Sequence, residues 1–274
     1  MDANRFNQIL VVDSIPAGEL NTAKRLMDDL GSYSVAYAPS PAVKYLRVET
    51  GDELIEQINS CRKDAIEQDI IPMLHIECHG CEDGFKFADG SRADWEKLKL
   101  PITELNVATG LNLMIAVAAC TGGALAKALR MSDRAPFWGL IGPTKDVMPA
   151  TLEKAYRALY LTLLSTKSPA KAVKAMDAAT EPGLFWRTTA QGLFENGWAS
   201  YKKQYCTPTA LNHRAKRMQE RIIHLSAKKP PSLEELRTRL VKHEPKAFEQ
   251  YRASFFMYDL FPEHQTRFPV QYVP

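Results

Sequence analysis

Residues 70–81 read IIPMLHIECHGC, and residues 111–123 read LNLMIAVAACTGG. Each opens as a short, mostly apolar run and is closed by small or reactive residues. A helix at the surface would show apolar residues every three or four positions. A strand with one wet face would alternate. A continuous apolar run of this length fits a strand buried on both faces. Working outward, QILVVD (8–13) and PFWGLIGP (136–143) read as further buried strands, and KYLRVET (44–50) reads as another strand. Between these runs lie segments of helical periodicity. AGELNTAKRLMDDLG is read as a helix stopping at Gly31. In GDELIEQINSCRKDAIEQD, Leu54, Ile55, Ile58 and Ile66 are expected on one side. Helices also fit GGALAKALRM and TLEKAYRALYLTLL, and SPAKAVKAM opens another, with Ser168 as N-cap and Pro169 at the first helical position. GFKFADGSRADW reads as a hairpin turning at Asp89-Gly90. Buried strands alternating with helices imply an α/β fold with a mostly parallel central sheet covered on both faces.

At 274 residues, with 45% hydrophobic and 24% charged residues, the chain has the composition of an ordinary globular protein with room for one large core. A formal charge of +3 is too mild to point to nucleic acid, which is not expected as a partner. The early run ILVV is too short for a leader or a membrane span, so a cytoplasmic location and no membrane partner are expected. Five cysteines, an odd and sparse set, do not make a disulfide framework. Past Cys206 the character changes: residues 207–274 carry twelve Lys/Arg against seven Asp/Glu. They hold a Ser232/Glu235 capping box and an aromatic stripe from Phe255 to Phe261, read as the apolar side of a terminal helix packing on the sheet domain. The expected organisation is a sheet domain over 1–205 and a helical extension over 206–274.

In open parallel sheets, chemistry gathers beyond the carboxyl ends of strands. His79-Gly80 and Cys120 both stand at such ends, and neighbouring strands would bring them together. An imidazole beside a thiol supplies the base or the counter-charge that makes a thiolate nucleophile. Gly80 allows close backbone approach and frees an N–H for a developing oxyanion. TGG after Cys120 is a flexible turn into a helix whose N-terminus would favour the thiolate. Leu74, Ile76 and Cys78 are expected on one strand face, and His75, Glu77 and His79 on the other. Cys78 and Cys81 also have the spacing of a redox dithiol, although a helix N-terminus at the first cysteine is wanted there and a hairpin follows instead. A metal site from His75, Cys78, His79 and Cys81 is not expected, since adjacent strand residues point to opposite faces and no second ligand pair follows.

An apolar strand ending in His-Gly, followed by an apolar strand ending in Ala-Cys, resembles the signature of the caspase-like cysteine peptidases. That clan includes caspases, metacaspases, separase, gingipains and the bacterial CHAT proteases. The stretch WGLIGPTKDVMPATLEKAYRALYLTLLSTKSPAKAVKAM looks like the CHAT branch. The likeness spans roughly residues 8–200. It implies a caspase-like three-layer sandwich and a cysteine endopeptidase acting on protein substrates. His79 would then be the general base and acid, Cys120 the nucleophile, and the N–H groups of Gly80 and Cys120 the oxyanion hole. It further implies that Asp146 or Asp13 reads a basic residue before the cut, that no cofactor is required, and that the enzyme is a regulated bacterial effector, as in antiphage defence, with an activating protein partner. Two other readings stay open at this level: a thiol-redox protein using Cys78 and Cys81, and a catalytically quiet interaction module of the same fold.

Overall fold

The apolar runs do become the strands of one sheet. A computed structural model of the chain describes residues 5–36, 38–128, 130–225 and 229–273. In chain order the elements are β1 (Gln8–Asp13), α1 (Thr22–Tyr33), β2 (Ala42–Arg47), α2 (Gly51–Gln68), β3 (Pro72–Glu77), β4 (His79–Cys81), β5 (Gly84–Lys86), β6 (Arg92–Asp94), α3 (Trp95–Ala108), β7 (Met114–Ala118), a 3-10 helix (Gly122–Ala128), β8 (Gly139–Pro143), α4 (Pro149–Thr166), α5 (Pro169–Ala178), β9 (Phe185–Thr189), α6 (Ala190–Tyr205), α7 (Pro208–Leu225), α8 (Leu233–Phe255) and α9 (His264–Arg267). The main sheet has the order β2-β1-β3-β7-β8-β9. Its first five strands run parallel and β9 closes the edge antiparallel to β8. The protein is therefore α/β with a mostly parallel six-stranded sheet.

Alternation along the strands sorts the core into two layers. Ile9, Val11, Met73, Ala116 and Ala118 join a buried cluster with Leu26 and Leu30 of α1, Tyr156 and Tyr160 of α4, and Met176 of α5. The intervening residues Leu10, Val12, Leu74, Ile76, Ile115 and Val117 are buried as well, so both faces are covered. On α2 the buried residues are Leu54, Ile58, Cys61 and Ala65, spaced for one helical face, whereas Ile66 is 66% exposed. Ile66 thus departs from the expected apolar side because it lies one position, about 100°, past Ala65 on the helix. Local chemistry sets the helix starts. The Thr50 hydroxyl accepts from the Glu53 N–H at 3.1 Å, Asp94 accepts from the Lys97 N–H at 2.7 Å, and Ser168 caps α5 ahead of Pro169.

Three elements differ from the sequence reading. Helix α1 starts at Thr22, capped by Asn21, and runs through Gly31 to Tyr33. The segment after Cys120 is a 3-10 helix rather than an α-helix, opening on the poor helix formers Gly122 and Gly123. The strand from residue 72 ends at Glu77. The chain bends at Cys78, and His79–Cys81 starts a separate antiparallel sheet, β4-β5-β6, which contains the expected hairpin.

The described residues divide into two compact units, Met1–Leu129 with Ala135–Ala190, and Arg130–Arg134 with Gln191–Pro274. The second has its own aromatic core. Phe194 and Trp198 of α6 contact Phe248 of α8 with ring centroids 5.6 and 5.1 Å apart, and Phe256 stacks on Phe268 at 4.8 Å. Phe255 and Phe256 of the aromatic stripe are buried, Tyr258 and Phe261 are half-buried, and the Ser232/Glu235 capping box forms at the head of α8. Among the described residues no helix is long and apolar enough to cross a membrane.

Candidate functional site at the carboxyl edge of the sheet

Strands β1, β3, β7 and β8 run parallel, so their carboxyl ends share one edge of the sheet. β3 and β7 are neighbours, with Glu77 opposite Ala118, and the chain beyond each leads to the two sequence motifs. At Gly80 the approach is close enough to forbid a side chain. A Cβ there would stand 2.0 Å from the Cys120 carbonyl oxygen and 3.0 Å from its nitrogen. The backbones of His79-Gly80 and Cys120 are therefore in direct apposition, forty residues apart in the chain. The bend at Cys78 makes this possible: it takes His79 out of the strand ladder of β3 and lays β4 over the turn at Cys120.

Cys120 is half-buried and unpaired with any other cysteine. Its Sγ accepts from the Val147 N–H at 3.5 Å and lies 3.9 Å from the Val147 carbonyl oxygen. The loop after β8 thus holds the thiol from one side while β4 lies along its backbone. The turn is closed by the Gly122 N–H donating to the Ala119 carbonyl at 3.0 Å. Thr121 within it has φ of 55°, a left-handed conformation that is costly for a β-branched residue. Its hydroxyl donates to the Cys120 carbonyl at 2.7 Å. Strain at the residue after a candidate nucleophile, in a turn fixed from several directions, is a common mark of a functional position. Among the described residues the Cys120 N–H donates to no backbone carbonyl.

The His79 ring is about half exposed, and its Nε2 lies 3.2 and 3.0 Å from the two carboxylate oxygens of Glu19. Glu19 sits in the loop between β1 and α1, and nothing in the sequence pattern singled it out. The one available signal was the Pro16-Ala17-Gly18 turn directly after a buried strand, which places the next residue at the carboxyl edge of the sheet. The arrangement at this edge is a carboxylate on an imidazole, followed in the chain by a glycine whose backbone touches a cysteine. Among the described residues the His79 ring and the Cys120 thiol share no hydrogen bond; it is the backbone of Gly80 that meets Cys120.

The two acids expected near a substrate occupy different settings. Asp13, at the end of β1, is fully buried, and its carboxylate accepts from the Ile15 N–H (2.8 Å), Asn21 Nδ2 (2.7 Å), the Tyr45 hydroxyl (2.5 Å) and Arg47 Nη1 (3.1 Å). Four donors satisfy it, and it fastens the loop that carries Glu19. The Asp13 carboxylate in turn helps burial to push the Tyr45 phenol up. Asp146 is exposed, makes no ion pair among the described residues, and adjoins the Val147 backbone that holds the Cys120 thiol. A pocket of about 340 Å³ opens beside the β1–α1 loop, lined by Ile15, Glu19, Tyr45 and Arg47 among others.

The remaining histidine and cysteines of the opening stretch have other roles. His75 is completely buried; its Nε2 is 2.9 Å from Glu77 and its Nδ1 3.2 Å from the Tyr160 hydroxyl. The Thr22 hydroxyl donates to the second oxygen of Glu77. Cys78 is buried, and burial, with Glu77 nearby, pushes its thiol well up. That is the opposite of what a redox dithiol needs from its first cysteine. Cys81 is half-buried and donates weakly to the Gly84 carbonyl at 3.4 Å. Among the described residues no three His, Cys, Asp or Glu side chains gather as a metal-binding group.

Compared with known proteins, the chain matches no protein-family model, and no curated protein matches it.

Proposed function

We propose that this chain is a caspase-like cysteine endopeptidase resembling the bacterial CHAT-type proteases, with His79 and Cys120 as its reacting pair. The observation that carries this reading is the apposition of Gly80 to Cys120, where a Cβ would fall 2.0 Å from the Cys120 carbonyl oxygen. It joins two motifs of separate strands at the edge of the sheet where parallel folds do their chemistry. In this mechanism Cys120 Sγ attacks the scissile carbonyl as His79 takes the thiol proton. The oxyanion is met by the N–H groups of Gly80 and Cys120. His79 then gives the proton to the leaving amine, and water, activated by the same imidazole, resolves the thioester. The preferred residue before the cut is Lys or Arg, read by Asp146, since the Asp13 carboxylate already has four donors. The fold is then a caspase-like sandwich, and the protein acts as a regulated cytoplasmic effector on protein substrates.

A positional-scanning fluorogenic peptide library, run on wild type and Cys120→Ala, tests this. Cleavage after Lys or Arg that is lost in Cys120→Ala and redirected in Asp146→Ala supports every part. Cleavage after other residues keeps the peptidase and removes Asp146 as the reader. If no peptide is cut by the wild type, with or without host-cell extract as a source of activator, the chain is an interaction module instead.

A further inference from the structure

We propose that Glu19 is the positioning residue for His79, holding the ring in the tautomer protonated at Nε2 and so leaving Nδ1 to exchange the proton with Cys120. The inference rests on the peptidase reading and adds a residue which that reading does not contain.

An ionised carboxylate only accepts hydrogen bonds, so the nitrogen facing it must be the protonated one. Both Glu19 oxygens face Nε2, at 3.2 and 3.0 Å, and among the described residues Nδ1 has no partner. In the neutral ring the lone pair then sits on Nδ1. When Cys120 forms its bond to the substrate carbon, its proton passes to Nδ1, and the Nε2 proton stays in its bond to Glu19. The imidazolium so formed is opposed by the carboxylate. Nδ1 then delivers the same proton to the leaving amine as the carbon–nitrogen bond breaks, and the ring returns to its starting tautomer.

The loop bearing Glu19 is built to hold it there. The Glu19 N–H closes a turn onto the Pro16 carbonyl at 3.3 Å, with Gly18 at φ of 89°, the conformation a type II turn requires at that position. Its two ends are tied down. On one side Ser14 N–H donates to the Glu77 carbonyl at 2.8 Å and Ile15 N–H to Asp13. On the other, Asn21 bonds Asp13 and caps α1, while Thr22 bonds the Glu77 carboxylate. Two buried acids thus fasten a short strap whose tip carries a third. Among the described residues the Glu19 carboxylate has no partner other than His79, and it is about half exposed, so the fold itself does not use it.

The test compares wild type with Glu19→Gln and Glu19→Ala as full-length chains. The His79 tautomer is read from its imidazole nitrogen shifts in 15N-histidine-labelled protein, alongside the rate of Cys120 alkylation by iodoacetamide and kcat and KM on the best library peptide. Wild type is expected to show the Nε2–H form. Glu19→Ala is expected to mix the tautomers, to slow alkylation and to lower kcat about tenfold with KM unchanged, the exposure of the pair keeping the effect moderate. Glu19→Gln, whose amide carbonyl still accepts from Nε2–H without a charge, is expected in between. An Nδ1–H ring in wild type, or an Ala variant with tautomer and alkylation rate both unchanged, overturns the proposal. If no peptide is cut but the tautomer still depends on Glu19, the positioning role stands and the peptidase reading alone falls. An unchanged melting curve for each variant guards against a folding artefact.

Discussion

At the scale of single residues, Gly80 is the position with least freedom. Its backbone lies against Cys120 so closely that any side chain must move one segment off the other. Backbone cannot yield as a flexible side chain does, so Gly80→Ala is expected to cost about 1–3 kcal/mol of stability. On the proposed peptidase reading it is also expected to lower turnover by about a hundredfold or more, since a displacement on the order of 1 Å at a reacting centre costs that much. Activity falling no further than the folded fraction measured by denaturation would show that the apposition is structural only. The motifs at His79-Gly80 and Cys120 stand out in the sequence because each follows an apolar run, which is a local feature. Glu19 does not, because its place beside His79 depends on where a loop from another part of the chain returns.

At the scale of elements, β3 threads a polar line through an apolar layer. Thr22 of α1, Glu77 and His75 of β3, and Tyr160 of α4 are joined in sequence by hydrogen bonds, and His75 and Glu77 are essentially inaccessible. Buried groups of this kind fix how the helices sit on the sheet, because each displaced helix leaves a polar atom without a partner. His75→Ala removes the partner of both Glu77 and Tyr160, and is expected to destabilise the sheet unit by about 3–5 kcal/mol in urea unfolding. Replacing both, as His75→Leu with Glu77→Leu, should recover part of that loss, because no unpaired buried carboxylate remains. A double variant as unstable as the single one would mean that packing volume rather than polar pairing is what these residues supply. The sequence placed His75 and Glu77 on one face correctly. It also carried that face on to His79, because alternation cannot show that the strand bends at Cys78.

At the scale of the whole molecule, the sheet unit buries several groups that must stay neutral. Burial pushes the Cys61 thiol from 9.0 to about 11, and it pushes Cys78, Tyr156 and Tyr160 up as well. A group whose folded pKa lies above its unfolded value contributes stability that is complete below the unfolded value and is lost as pH rises through the folded one. For Cys61 that window runs from about pH 9 to about pH 11. The unfolding midpoint in urea is therefore expected to fall across this range, and less steeply in a Cys61→Ala, Cys78→Ala double variant than in wild type. Equal slopes in the two proteins would mean that these thiols are not what titrates. The compositional break at Cys206 marks where the basic helices begin. The compact helical unit begins earlier, at Gln191, because Phe194 and Trp198 of α6 bury their rings against Phe248.

The sequence by itself determined the class of fold, most of the strands of the main sheet and the two motifs that follow β3 and β7. Each of these follows from periodicity, capping and turn chemistry within about twenty residues. The edge strand Phe185–Thr189, half polar and only five residues long, carried too little pattern to be read. Only the tertiary structure decided that Gly80 meets Cys120, that Asp13 fastens a loop, and that Glu19 faces His79. Those outcomes depend on strand order and loop return across long stretches of chain. No local pattern encodes them, because which residues share the sheet edge is set by how the apolar strands and helices bury one another.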